Sequence, residues 1–434
     1  MQMDNRKIIQ DSIDYIETNL KTELTAQELA DMAGFSLFHY YRLFHLAVGM
    51  PVMQYIARRK LLNALFEISC GRKIIDAALE YGFDTHGGFY KAFKRELGCS
   101  PSVFLKNHKV KKPYKPNLFQ EERIMMTHTK IREILKHWSL EKESITDIYY
   151  ENTGEQNHNA YYIGDRYVIK FTTNLGEMNK HIALSKALTN AGLSAAVPIL
   201  TVDGQEYIEN NGVWCFLAPR LDGSQINAVD LYDANYKEKA HFVGEIIGQL
   251  HTALRNVDAV VNDVDLYESV IHWALPKSKQ VVALPDNICK DYTETFGQLY
   301  SKLPKQIIHR DPNPSNIILC NDRWGFIDFD LSERNVRIFD PCYAATGILC
   351  ESLDNHDMEK LEKWVKICHN IILGYNSIVN MTKEEQEAVP YVILSIQLIC
   401  VAWFSEREHE RELFEINKQM TKWIIDSFYR LRFF

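Results

Sequence analysis

Ile308-His309-Arg310-Asp311-Pro312-Asn313-Pro314-Ser315-Asn316 is the stretch from which the architecture of most of this chain can be inferred. Asp328 follows in the apolar run Gly325-Phe326-Ile327-Asp328-Phe329-Asp330. Mg²⁺ prefers oxygen ligands, and on nucleotides it is often held by one or two carboxylates together with phosphate oxygens. The sequence therefore predicts that Asn316 and Asp328 hold magnesium, and that Asp311 accepts the proton of a substrate hydroxyl.

The tripeptide H-x-D is weak evidence by itself, because isolated His and Asp residues usually have structural or solvated roles. Here His, Asp, Asn and Asp occur in order around the strand-like runs Ile317-Ile318-Leu319 and Trp324-Gly325-Phe326-Ile327. This combination predicts a kinase-type site in which His309 supports the loop and does no chemistry.

At these residues the chain resembles the aminoglycoside phosphotransferase and choline/homoserine kinase-like superfamily, whose pattern is H-x-D-x(4)-N, a short hairpin and I-D-x-D/E. The resemblance extends to the run Gly244 to His251, similar to the family's helix ending in Leu-His, and to Phe339-Asp340-Pro341, where Asp340 is expected to be structural. It implies an α+β bilobal protein kinase-like fold and the cofactors ATP (or GTP) and Mg²⁺.

The same resemblance suggests nucleotide-binding residues nearer the N-terminus. Lys170, in the strand-like run Tyr167-Val168-Ile169-Lys170-Phe171, is similar to the lysine that contacts the α- and β-phosphates. Gly154 and Asn157 match a sparse G-x-x-N pattern in a nucleotide-covering hairpin. A lysine at the end of a strand and a glycine in a turn are both common, so these assignments depend on the rest of the pattern.

The partner of Lys170 is where this chain departs from the family. The family has a glutamate about two helical turns before a leucine, but counting back from Leu188 gives His181 or Ile182. Glu177, one turn earlier, is a candidate partner, and the sequence leaves the pairing open.

The first 108 residues contain an internal repeat with an offset of 48 to 49, which aligns Gly34-Phe35 with Gly82-Phe83 and Tyr41-Arg42 with Tyr90-Lys91. Each copy is predicted to be a helix, a turn and a second helix. Thr25 and Ser36 are predicted helix caps. The apolar face of the first helix in the second copy is predicted to comprise Ile74, Ile75, Ala78 and Leu79.

An aromatic residue and a cation at the same outward position of both copies would suit two readers of the DNA major groove. An ordinary exposed helix face is the alternative. The region resembles, over its whole length, the double helix-turn-helix domain of AraC-type regulators, with Gly87-Gly88 as a departure that is expected to soften the second reading helix. The predicted DNA-contacting residues are Phe38, Tyr41, Arg42, Arg58, His86, Tyr90 and Lys91.

Charge divides the chain in the same way. Residues 1–116 contain 17 Lys and Arg against 12 Asp and Glu, a net charge of +5, so with −8 overall the remainder carries −13. A basic segment suits contacts with DNA phosphates. Between the two parts, Lys109 to Asn117 contains two prolines and four lysines and is predicted to be an exposed linker.

We therefore predict a multidomain protein with an all-α double helix-turn-helix domain (1–108), a linker (109–125), a kinase-like N-lobe (126–219) and a C-lobe (220–434). The nine cysteines show no C-x-x-C pairs or His/Cys clusters, which indicates reduced thiols in a cytoplasm and no zinc. No signal peptide is expected, and the apolar run from Tyr391 to Phe404 is predicted to be a buried C-lobe helix, without membrane partners.

Two functional hypotheses follow. In one, the chain regulates transcription and its kinase-like domain senses nucleotide or a small ligand. In the other, it is an active small-molecule phosphotransferase with an attached DNA-binding domain. The expected partners are double-stranded DNA and a small hydroxylated molecule, which could be an aminoglycoside, choline, homoserine or an amino sugar, and dimerisation is left open.

Overall fold

The computed structural model describes residues 3–48, 50–83, 85–97, 100–107, 110, 113, 118, 126, 128–149, 156–210, 212–320, 323–354, 357–407 and 411–433. The chain forms two compact units. The first unit comprises Met1–Leu175 and Pro198–Arg220, and the second comprises Gly176–Val197 and Leu221–Phe434. The break after Arg220 lies one residue beyond the predicted lobe boundary. The segment Gly176–Val197, predicted as part of the N-lobe, groups with the second unit.

The first unit begins with seven helices among its described residues. They are α1 (Met3–Thr18), α2 (Ala26–Met32), α3 (Leu37–Val48), α4 (Val52–Ser69), α5 (Ile74–Glu80), α6 (His86–Leu97) and α7 (Pro101–Asn107). Gly34 and Gly82 adopt φ of +69° and +79°, so each supplies the left-handed turn between the two helices of its copy. Thr25 Oγ1 caps α2 through the Glu28 N–H, which agrees with the predicted helix start.

The buried face of α5 differs from the prediction. Ala77 and Ala78 are fully buried, whereas Ile75 is 48% exposed and Leu79 is 53% exposed. The helix has only seven residues, so two different faces both satisfy an apolar spacing of three or four. The small alanines face inward, towards the core of this domain.

A β-sheet follows in the first unit. The helix α8 (His128–Leu135) precedes the sheet. The strands are β1 (Ile145–Tyr149), β2 (Gln156–Ile163), β3 (Tyr167–Thr172), β4 (Ile208–Asn210) and β5 (Val213–Pro219), and the helix α9 (Leu175–Asn190) lies between β3 and β4 in the sequence. The strand order is β1-β2-β3-β5-β4 and all the pairings are antiparallel. Trp138, Tyr161 and Phe171 belong to the apolar cluster that packs against this sheet.

The second unit, which contains α9 from Gly176 onward, is mainly helical. Its further elements are β6 (Ser224–Gln225), α10 (Tyr236–Leu254), α11 (Leu266–Ser269), α12 (Leu275–Ser278), α13 (Asp286–Asp291), α14 (Gly297–Tyr300), β7 (Lys305–Ile308), β8 (Ile317–Cys320), β9 (Arg323–Phe326), β10 (Glu333–Val336), α15 (Phe339–Ser352), α16 (Met358–Val379), α17 (Lys383–Ser405) and α18 (Arg411–Asp426). There are two small sheets, β6-β8-β9 and β10-β7. Asp311 and Asn316 lie between β7 and β8, and Asp328 lies between β9 and β10. Among the described residues, α17 is the one helix long and apolar enough to cross a membrane, and 72% of its apolar window is buried inside the unit.

Helices α10 and α16 approach each other closely through glycines. A Cβ on Gly374 would lie 1.9 Å from the carbonyl oxygen of His241, and a Cβ on Gly244 would lie 2.0 Å from that of Ile371. These contacts are with backbone atoms, which cannot move aside without moving a helix. The absence of side chains at both positions therefore fixes how closely these two helices pack.

Candidate functional site

The predicted magnesium ligands leave the same end of one hairpin. Strands β8 and β9 pair with Ile317 opposite Phe326, so Asn316 directly precedes the first strand and Asp328 follows the second by two residues. The N–H of Ile327 donates to the carbonyl oxygen of Asn316 over 3.0 Å. The hairpin thus brings together two residues that are twelve positions apart in the sequence.

Asp311 is oriented by two asparagine side chains. Asn313 Nδ2 donates to Oδ1 of Asp311 over 2.6 Å. Asn316 Nδ2 donates to Oδ2 of Asp311 over 3.1 Å and to its backbone oxygen over 2.9 Å. Because both amide hydrogens of Asn316 are directed at Asp311, its Oδ1 is the atom that it can present to a cation. A carboxylate has about four acceptor sites, so Asp311 can still accept a hydrogen bond from another donor.

Asn313 was not predicted to be a site residue. Its Oδ1 is buried and lies so close to Gly347 of α15 that a Cβ there would be 2.2 Å away. Gly347 therefore makes room for the side chain that holds Asp311. An asparagine in a loop is too common to suggest this contact from sequence alone.

His309 fastens the loop from within the core, as the sequence predicts. Its side chain is fully buried. Nε2 bonds to the carbonyl oxygen of Ile327 over 3.0 Å, and Nδ1 accepts the N–H of Asp311 over 3.3 Å. Burial lowers the pKa of His309, and the neutral ring with its proton on Nε2 satisfies both bonds. His309 thus links the segment before Asp328 to the backbone of Asp311.

Asp340 is the buried acceptor on which this loop rests. Its Oδ2 accepts the N–H of His309 over 2.8 Å and its Oδ1 accepts the N–H of Arg310 over 2.9 Å. His251 Nε2 lies 2.8 Å from the same Oδ2. The position of Asp340, with no exposed surface, fits the structural role expected for it.

Two non-glycine residues beside the acidic groups have left-handed backbones. Arg310 has φ of +76° and Asp328 has φ of +67°. Such conformations cost of order 1–3 kcal/mol each and persist where the surroundings hold them. The Arg310 side chain forms an ion pair with Glu333 at 3.0 Å and lies 4.2 Å above the ring of Phe339. These contacts, with the bond to Asp340, hold the strained residue that precedes Asp311.

Helix α15 places two further titratable groups near Asp311. Burial raises the pKa of Tyr343, and the charge of Asp311 and a hydrogen bond with it raise that pKa further. The pKa of Glu351 is also raised, first by loss of hydration and second by the negative charge of Asp311. The Tyr343 hydroxyl and the Glu351 carboxyl therefore both interact with the charge of Asp311.

The predicted nucleotide contacts of the first unit lie on its sheet. Lys170 is in β3, the central strand, and pairs with Ala160 and Phe216. Asn157 is in β2, and its Oδ1 accepts the N–H of Asn159 over 2.9 Å. Gly154 lies outside the described residues.

Glu177 is at the start of α9 and forms an ion pair with Lys180 at 2.5 Å. Its proposed pairing with Lys170 remains a prediction. Lys180 itself, which sequence analysis passed over, is buried and donates to the carbonyl oxygens of Asp330 and Ser332 over 2.6 and 3.4 Å. It fixes the segment that follows Asp328 to α9.

The two predicted DNA-reading helices, α3 and α6, expose most of the predicted contacts. Phe38 is 80% exposed, and Arg42, His86 and Lys91 are also exposed. Tyr41 and Tyr90 are half-buried and pack partly against the domain core. The tyrosines therefore contribute to the domain core, whereas the side chains of Arg42 and Lys91 are accessible to a ligand.

Arg58 differs from the prediction. Its side chain is only 4% exposed, and Nη2 lies 3.9 Å from Oδ1 of Asp147, a residue of β1. A buried guanidinium is not placed to contact a DNA backbone, so we remove Arg58 from the DNA-contacting set. Sequence alone showed a cation on a linker helix and gave no sign of an acid 89 residues away.

Comparison with known proteins finds two different families in two stretches of the chain. The helix-turn-helix domain model matches residues 29–107, and the phosphotransferase enzyme family model matches residues 151–363. The HTH-type transcriptional activator AarP of Providencia stuartii is 39% identical over 98 residues, which are 22% of this chain and 73% of that protein. The Transposon Tn10 TetD protein of Escherichia coli is 33% identical over 101 residues, 23% of this chain and 73% of that protein.

The fold of the remainder is shown by a solved structure, that of a microcompartment-associated aminopropanol kinase. It superposes with a TM-score of 0.50 at 15% identity and covers 70% of this chain and 97% of its own. The chain belongs to the family of AraC-type helix-turn-helix transcriptional regulators, and it carries in addition a kinase-like domain of the phosphotransferase enzyme family.

Proposed function

We propose that this protein is a cytoplasmic, sequence-specific DNA-binding regulator whose kinase-like domain binds ATP with Mg²⁺ and a small hydroxylated ligand. The observation that carries this proposal is the hydrogen bonding of Asp311, whose two carboxylate oxygens are held by Asn313 and Asn316. A carboxylate oriented in this way can accept a hydrogen bond from a hydroxyl group of a ligand.

The chemistry of the donors fits a magnesium nucleotide. Asn316 directs both amide hydrogens at Asp311, so an amide oxygen remains, and Asp328 adds a carboxylate at the same end of the hairpin. Oxygen atoms of these two kinds are ligands that Mg²⁺ accepts alongside phosphate oxygens. When bound, magnesium would neutralise phosphate charge and ATP would supply the phosphoryl group. Lys170, Asn157 and Gly154 are the proposed further contacts to the nucleotide, with Glu177 as the partner of Lys170.

Asp311 would accept a hydrogen bond from the hydroxyl of the ligand. The same arrangement favours a second candidate function, an active O-phosphotransferase. In that reaction the hydroxyl oxygen bonds to the γ-phosphorus, the bond to the β-phosphate oxygen breaks, and Asp311 takes the proton. The two functions are compatible, because a domain that senses by binding and one that also transfers use the same residues.

Thermal unfolding of the full chain with and without Mg²⁺ and about 1 mM ATP tests the nucleotide site. With a dissociation constant near 10 μM, binding contributes roughly 2.7 kcal/mol, which is visible as a raised unfolding temperature. We expect the shift to require Mg²⁺ and to be lost in Asp328→Ala. Asp258→Ala, an exposed acid in the same unit, is the matched control and should keep the shift. No shift in the wild type would refute nucleotide binding.

Turnover separates the two candidate functions. If the domain transfers phosphate, Asp311→Asn should stop product formation and retain the ATP-dependent thermal shift, since the base acts on the acceptor. Normal turnover in Asp311→Asn would remove Asp311 from this role.

A further inference from the structure

A buried charge cluster lies where helix α4 of the DNA-binding domain meets strand β1 of the sheet. Nη2 of Arg58 lies 3.9 Å from Oδ1 of Asp147, and the two side chains are 4% and 3% exposed. His128 Nε2 is 3.3 Å from the same carboxylate oxygen. Moving one member of such a pair away from the other costs free energy, because charges removed from water to this degree need compensation.

Helix α4 is the element through which such a contact can reach DNA. It connects the two helix-turn-helix copies and packs against α3, α5 and α6. The neighbouring Arg59 forms two hydrogen bonds with Glu17 of α1, at 2.6 and 2.8 Å. Adjacent arginines on α4 therefore face α1 of the DNA-binding domain and β1 of the sheet. Because α4 packs against both α3 and α6, a shift of α4 would be transmitted to the two reading helices.

In the strand pairing, Asp147 is one position from the partner of Asn157, and strand β2 separates it from Lys170. It pairs with Tyr161 of β2, whereas the next residue, Ile148, pairs with Asn157. Three residues of β2 are thus accommodated in an irregularity of the pairing. These three residues lie between Asn157 and Tyr161, and the last of them, Ala160, pairs on its other side with Lys170 of β3. Irregularities of this kind occur next to functional sites, where they redirect side chains.

We propose that Asp147 couples ligand binding on the sheet to DNA binding through Arg58. The inference rests on the proposed nucleotide function. A ligand held by Asn157 and Lys170 changes the pairing at the irregularity, this changes the hold of Asp147 on Arg58, and α4 moves with it. In this proposal α4 has two arrangements, one with Arg58 and Asp147 paired and one with them apart, as a switch requires.

The test compares DNA affinity of the full chain with and without Mg²⁺ and ATP. The DNA is the duplex that the full chain selects from a random pool. Couplings of this kind typically change affinity by about 5-fold or more, so we expect at least that ratio in the wild type. In Asp147→Asn the ratio should fall to within about twofold of one, with the ATP-dependent thermal shift retained. Asp165→Asn, an exposed acid in the turn after β2, should keep the wild-type ratio.

Each outcome decides a different point. An unchanged ratio in a folded Asp147→Asn protein would overturn the coupling role of Asp147. A wild-type ratio of one, with the thermal shift present, would overturn the coupling and leave nucleotide binding standing. A wild type without any thermal shift would refute the proposed function and this inference with it. If Asp147→Asn does not fold, the double variant Arg58→Gln with Asp147→Asn removes both buried charges and should show the same loss of coupling.

Discussion

Replacing Asp340 by alanine should destabilise the second unit far more than an ordinary surface substitution. The change removes one acceptor from three donors, the N–H groups of His309 and Arg310 and the imidazole of His251, at distances of 2.8 to 2.9 Å. A buried donor left without a partner costs about 1–3 kcal/mol. With three donors affected, we expect the free energy of unfolding to fall by about 4 kcal/mol or more.

Urea unfolding of the full chain, followed through the tryptophans, measures this loss. The matched control is Asp357→Ala, since Asp357 is exposed and makes a single capping bond to the N–H of Lys360. Loss of such a cap costs about 1 kcal/mol. Hydrogen exchange supplies a local measurement, because the amides of His309 and Arg310 should lose protection in Asp340→Ala. Losses of equal size in the two variants, with exchange at these amides unchanged, would refute the role given to Asp340.

Three further outcomes are expected. Burial lowers the pKa of His309, so the imidazole binds a proton more readily in the unfolded chain than in the folded protein. The free energy of unfolding should therefore fall as the pH drops below about 6.5. The urea midpoints at pH 7.5 and pH 5.5 should differ less in His309→Asn than in the wild type. Gly374→Ala should cost about 2 kcal/mol through overpacking against a backbone oxygen, whereas Gly87→Ala, with open space at its Cβ, should gain up to about 1 kcal/mol in the same unfolding assay. Arg42→Ala and Lys91→Ala should each weaken binding to the selected duplex by about 1–3 kcal/mol and leave the ATP-dependent thermal shift unchanged; an equal loss of both activities would contradict the separation of the two sites.

The features that the sequence predicted best are those whose cause is local. Gly34 and Gly82 have the positive φ that their turns require, and Asn316 and Asp328 flank a hairpin whose two strands are visible as short apolar runs. In each case the deciding residues are close in sequence. Spacing alone was then sufficient to place them in the structure.

Two of the features that were missed depend on distant partners. Arg58 is buried because Asp147 faces it, and Lys180 is held by backbone oxygens 150 and 152 residues away. A cation on a helix gives the same local pattern whether its partner is DNA, solvent or an acid elsewhere in the chain. Only the three-dimensional arrangement distinguishes these cases.

Contacts within the loop that carries Asp311 offset the backbone strain of the residues near it. Arg310 and Asp328 adopt left-handed backbones, and each such residue costs of order 1–3 kcal/mol. The compensating contacts converge on the same loop: Asp340 accepts the N–H of Arg310, and His309 ties the loop to Ile327. A domain that only had to remain folded could avoid this strain with ordinary turns. The proposed function would account for this strain, because a sensor of magnesium nucleotide and a transferase would both need two carboxylates and an amide oxygen held at one end of the hairpin.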